Sequence, residues 1–150
     1  MLFLLSQVGA ERYAIPANRI IEVLPLVTIS RLPQLRPAVA GLLHYHGTSV
    51  LVVDFGLLVG GQPAPSRLST RLVLLNVQPP GGAARPLALI SGKATEMISL
   101  PAGSFEATSE RMSLAPYLGP VAWDFRGVVR RVEVDGLSSF LGAEALPAAA

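Results

Sequence analysis

His44 and His46 are the residues of this 150-residue chain whose type and spacing first suggest chemistry. On a β-strand, residues two apart point to one face, so a His-x-His pair could present both imidazoles to zinc or nickel. A metal centre needs a third and a fourth ligand, and no acidic or histidine residue stands at ligand spacing beside this pair. The sequence reading is therefore exposed or hydrogen-bonded histidines, with no metal. Ser91, in Ile90-Ser91-Gly92-Lys93, matches neither the Gly-x-Ser-x-Gly nucleophile elbow nor the Gly-x-x-x-x-Gly-Lys phosphate loop. Ser69-Thr70 reads as the close of a turn. Asp54 and Asp135 each precede a short apolar stretch, where a carboxylate caps a helix rather than catalysing a reaction. Asp124 falls in a hairpin turn. With no acid–base pair, the chain is expected to have no catalytic residues, no enzyme activity and no cofactor.

Glu22 is different, because it interrupts the apolar run Ile20-Ile21-Glu22-Val23-Leu24. A buried, unpaired carboxylate is costly, so Glu22 either faces solvent or has a partner. Trp123, the only tryptophan, lies in an apolar strand and is expected in the core.

The elements that must position these residues centre on Gly41 to Gly60, GLLHYHGTSVLVVDFGLLVG. It reads as strand, tight turn, strand and short helix. Gly47 supplies the positive φ of a hairpin turn, and Asp54 caps the helix that Val59-Gly60-Gly61 then stops. Val50 to Val53 lacks polar alternation, as a strand buried on both faces does. Upstream, residues 2–8 and 12–15 flank a turn at Gly9-Ala10-Glu11, and Arg19 to Val27 forms a further strand after Pro16-Ala17-Asn18. Pro33 and Pro37 bracket an irregular connection into the central unit. Downstream, Arg71 to Val77 pairs with Leu87 to Ser91, and Lys93 to Leu100 is another strand. Pro101 to Met112 is polar, turn-rich and expected to be mobile.

The last third repeats the central unit: a strand to Trp123, a turn closed by Gly127, a strand from Val128 to Val134, and Asp135 capping Gly136 to Leu141. Aligning Gly47 with Gly127 brings Asp54 within one position of Asp135. Two similar all-β halves follow, with short helices, in one domain over residues 1–150. The Gly/Pro/Ser-rich segment 61–69 is the expected division between halves, and 146–150 is an expected frayed tail.

Composition narrows the function classes. Hydrophobic residues make up 51% of the chain, yet no apolar run approaches the ~20 residues that cross a bilayer. The opening Met1-Leu2-Phe3-Leu4-Leu5 has no preceding charge and reads as a strand rather than a signal peptide. There is no cysteine, hence no disulfide framework, and a cytoplasmic location is the default expectation. Eleven of the twelve basic residues are arginine, scattered except for Arg130-Arg131, which argues against nucleic-acid binding. Charged residues are only 15%, a composition that favours protein partners.

The stretch FLLSQVGAERYAIPANRIIEVLPL, the proline-containing connector, Gly41-Leu42-Leu43-His44-Tyr45-His46-Gly47 and Val50-Leu51-Val52-Val53-Asp54 together resemble the CheW-like domain of bacterial chemotaxis coupling proteins. The resemblance extends over nearly the whole chain. The opening MLFLL, RLSTRLVLL and APYLGPVAWD further resemble the CheW-like adaptors of Wsp-type surface-sensing pathways. It implies two five-stranded, SH3-like β-barrels packed together. The implied function is a non-enzymatic adaptor joining a chemoreceptor's cytoplasmic tip to the regulatory domain of a CheA-type histidine kinase, with the membrane approached only through the receptor. The positions matching the family's receptor groove are Ile20, Glu22, Gly41, Leu43 and His46. Two departures stand out: His46 replaces the family's usual arginine, and Leu51 replaces a common proline. A titratable Glu22–His46 pair would then stand in for the permanent Glu–Arg one and alter receptor preference with pH. Alternatives are a stand-alone β-barrel module binding a small ligand or metal at His44 and His46, and a detached kinase regulatory domain, which carries the same fold.

Overall fold

In a computed structural model that describes residues 1–27, 29–31, 36–107 and 115–141, the described residues form eleven strands and four short helical segments. The frayed tail expected at 146–150 and part of the expected mobile segment lie outside the described residues. The strands are β1 (Leu2–Val8), β2 (Glu11–Pro16), β3 (Ile20–Pro25), β4 (Ser30–Arg31), β5 (Val39–Tyr45) and β6 (Thr48–Asp54), then β7 (Arg71–Val77), β8 (Arg85–Ser91), β9 (Glu96–Ser99), β10 (Leu118–Asp124) and β11 (Gly127–Val132). Helix α1 (Phe55–Gly60) follows β6, and 3-10 turns occupy Ala17–Arg19, Ala102–Ser104 and Val134–Leu141. Strand β9 is shorter than the run expected from Lys93, because Lys93 to Thr95 form a turn.

Two sheets result, one ordered β10-β11-β2-β1-β9 and the other β3-β7-β8-β6-β5-β4. Read from β5, the second runs β5-β6-β8-β7-β3, the same architecture as the first with β4 added outside. In each, an antiparallel hairpin (β10–β11 or β5–β6) lies parallel to the second strand of another hairpin (β2 or β8). The segment 61–69 separates two tandem repeats, β1–β6 and β7–β11, but it does not divide the sheets. Each repeat lends its first hairpin to the other: β1–β2 pairs with β9 and β11, and β7–β8 pairs with β3 and β6. This exchange binds the halves through backbone hydrogen bonds as well as side chains.

The apolar residues form three clusters that follow from the alternation of strand faces. Phe3, Leu5, Ala14, Ala122 and Val129 fill the first sheet's inner face. Leu43, Val50, Val52, Leu72, Leu74 and Ala88 fill the second's. The largest cluster joins the sheets through Leu4, Tyr13 and Ile15 from one and Leu51, Val53, Val73 and Leu87 from the other. Val50 to Val53 are all buried, alternating between two of these clusters, which is why the run carries no polar residue.

Local geometry matches the sequence reading at most turns. His46 (φ 49°) and Gly47 (φ 78°) form a two-residue turn with both residues left-handed, the geometry that suits the twist of paired strands. Asp54 caps α1 by accepting from the Leu57 amide at 3.1 Å, and it also accepts from Ala64 at 3.1 Å, tying down the following loop. Gly61, left-handed at φ 71°, ends the helix. Asp135 is not a cap. It lies inside the Val134–Leu141 turn, where its carboxylate accepts from Arg19 and, at 2.9 Å, from the Gln78 amide. The Arg19 guanidinium holds the Asp135 carboxyl below its ordinary range. Strand register explains the misreading: Tyr45 opposes Thr48 as Asp124 opposes Gly127, so Thr48, not Gly47, corresponds to Gly127. Asp54 therefore corresponds to Glu133.

Candidate functional site

The sequence picks out Ile20, Glu22, Gly41, Leu43 and His46, and the fold divides them into surface and support. Glu22 is exposed on β3, an edge of the second sheet, and accepts a hydrogen bond from the Tyr45 hydroxyl at the far end of β5. Three strands, β7, β8 and β6, lie between β3 and β5, so their contact means that the sheet curls until its two ends approach. The Glu22 carboxylate raises the Tyr45 phenol above its ordinary range, by accepting its proton in a hydrogen bond. His46, exposed on the turn, packs its ring 4.2 Å from that of Tyr45 at an angle of 64°. The three side chains run in order Glu22–Tyr45–His46, so the partner of Glu22 is a tyrosine and not the histidine expected from sequence. Tyr45 was missed because it occupies a strand position that otherwise reads as core. Its lower edge does pack on the second sheet's cluster.

Ile20 is half-buried and packs against the joint core, whereas Tyr45 packs on the second sheet's cluster. Leu43 is only 4% exposed and belongs to the second sheet's cluster, so it supports the site from beneath. Gly41 is buried as well. A Cβ there would lie 2.0 Å from the Ser30 carbonyl oxygen, so glycine is what allows β4 to pair with β5. His44 is exposed on β5, whereas His46 has left the strand for the turn, so the two imidazoles do not share a strand face as the spacing suggested.

The first sheet closes in a corresponding way. Glu96 of β9 pairs with Arg126 in the β10–β11 turn at 2.6 Å, again joining an edge strand to the opposite hairpin. Arg12 of β2 grips both oxygens of Asp124, at 2.9 and 2.5 Å. That hydrogen bonding holds the Asp124 carboxyl down to about 2. The same hairpin exposes Trp123 (55%), Phe125 (94%) and Val128. Trp123 is thus not a core residue. It faces Val128 across the hairpin beyond the point where the second sheet covers this face.

Among the described residues, no helix is long and apolar enough to cross a membrane. The CheW-like domain model matches residues 2–139. No curated protein matches the sequence. Among solved structures, the fold is similar to the scaffolding protein TtCheW from Thermoanaerobacter tengcongensis, with a TM-score of 0.77 and 15% identity, covering 99% of this chain and 92% of that one. The match in fold agrees with the two curled sheets described above, including their all-β character with short helices.

Proposed function

The chain belongs to the CheW-like domain family, and from that premise we propose that it is a non-enzymatic adaptor coupling a chemoreceptor's cytoplasmic tip to the regulatory domain of a CheA-type histidine kinase. The family match over residues 2–139 is the observation that carries this reading. Such a protein works in the cytoplasm and meets the membrane only through its receptor. Receptor docking uses the Glu22–Tyr45–His46 cluster with Ile20 at its edge, while Gly41 and Leu43 hold the strand that presents it. The chemistry suits a helical partner: a carboxylate, a phenol and an imidazole lie exposed beside half-buried aliphatic carbon, offering hydrogen bonds at the rim and apolar contact within. Each contact would be of modest affinity, and strength would come from many copies acting together in an array.

Pull-down of the purified chain with kinase regulatory domains and receptor tips tests the proposal. The adaptor captures both, and Glu22→Arg weakens receptor capture while leaving kinase capture intact. A well-folded protein that captures neither partner would overturn it.

A further inference from the structure

A cavity of about 320 Å3 opens between the β1–β2 turn and the loop that follows α1. It shares no residue with the Glu22–Tyr45–His46 cluster. Its apolar walls include Val8, Pro63 and Pro65, and its charged lining consists of Arg67 and Lys93, with no carboxylate. Neither cationic side chain has a hydrogen-bonding or ion-pair partner among the described residues. Lys93 is also held at φ 48°, a left-handed conformation that costs free energy for any residue carrying a side chain. Glycine would adopt that turn without strain, yet the position holds the chain's only lysine.

Close backbone approach fixes the walls. A Cβ on Gly56 would lie 2.7 Å from the Gln62 carbonyl oxygen, and one on Gly92 2.8 Å from that of Gln7. Two exposed cations without an ion-pair partner among the described residues, set beside apolar walls in a cavity with fixed backbone, form a positive, partly apolar environment.

We propose that this cavity binds a small organic anion, a carboxylate or phosphate compound, with its charged group between Arg67 and Lys93 and its carbon skeleton against Val8, Pro63 and Pro65. The site lies apart from the proposed receptor surface and would give the adaptor a soluble input of its own.

Calorimetric titration of the full chain with citrate and with pyrophosphate, at constant ionic strength in sodium chloride, tests this. Saturable binding of either anion is expected, and which one binds identifies the charged group. Arg67→Gln and Lys93→Gln should each weaken it about three- to fivefold, and the double variant about tenfold or more, as expected for screened ion pairs. Arg31→Gln, outside the cavity, should leave binding unchanged. Lys93→Gly guards against misfolding as an explanation: it relieves the positive φ, so affinity should fall while thermal stability holds or rises. Failure of both anions to saturate the protein at millimolar concentration, or binding that survives the double substitution, would overturn the proposal.

Discussion

Arg12 and Asp124, 112 residues apart, form a two-pronged ion pair that fastens the first hairpin to the last. Both side chains are mostly buried, exposed by only 14% and 13%, so the pair is poorly screened and its geometry is fixed. This contact adds side-chain bonds to the hairpin exchange, in which β2 lies parallel to β11.

Asp124 should make stability depend on acid. Its carboxyl drops from 3.8 to about 2 on folding, chiefly through the hydrogen bonds from Arg12. A depressed carboxyl stabilises the folded state fully above its unfolded value, and that stabilisation is lost as pH falls through the folded one. Urea denaturation between about pH 5 and 2 should therefore lose roughly 2 kcal/mol to this group, mostly below pH 4. Asp124→Asn should cost about 2 kcal/mol at neutral pH and remove that part of the acid dependence. An unchanged acid profile in the variant would show that other groups set it.

Gly41 offers a sharper test of local packing. An added methyl would lie 2.0 Å from the Ser30 carbonyl oxygen, which belongs to backbone and cannot swing aside. Gly41→Ala should detach β4 or shift it, costing about 1–3 kcal/mol. Hydrogen exchange should localise the damage to the amides of β4 and β5. A variant as stable as the parent, with protected amides there, would mean that β4 does not pack as described.

Most of this architecture was legible in the sequence because its signals are local. The turn at His46-Gly47, the cap at Asp54 and the end of α1 at Gly61 each depend on a few neighbouring residues with distinctive backbone preferences. The exchange of hairpins was not legible, since β1–β2 has the same alternating pattern whichever strand it joins. Trp123 shows the same limit. Its strand reads as apolar throughout, and only the extent of the second sheet decides where cover ends. Within the site, Glu22 was identified by its cost if buried, but its partner was not. Tyr45 reaches it only because the sheet curls.

His46 and Leu43 should separate docking from support. His46→Arg places a permanently charged, forked donor near Glu22, where it competes with the Tyr45 hydroxyl. Receptor capture should strengthen severalfold. Leu43→Ala should instead cost about 2–5 kcal/mol by leaving a cavity, while the protein that remains folded binds receptor unchanged. Equal receptor affinities for His46→Arg and the parent would remove His46 from the site.

Trp123 gives a readout of the β10–β11 hairpin in the intact protein, since it is the only tryptophan and is 55% exposed. Its fluorescence should resemble that of tryptophan in water and be readily quenched by iodide. Trp123→Ala should change stability by less than about 1 kcal/mol, because only part of the ring leaves water on folding. Phe125, exposed by 94% at the tip with the Arg126 guanidinium 5.4 Å over its ring, should be equally dispensable to the fold. The ion pairs Arg12–Asp124 and Arg126–Glu96 hold this hairpin in place without burying its aromatic rings. A blue-shifted, unquenched tryptophan in the isolated protein would place the ring under cover and contradict this arrangement. A shift to the blue only on adding kinase domain or receptor tip would show that the partner reaches the hairpin.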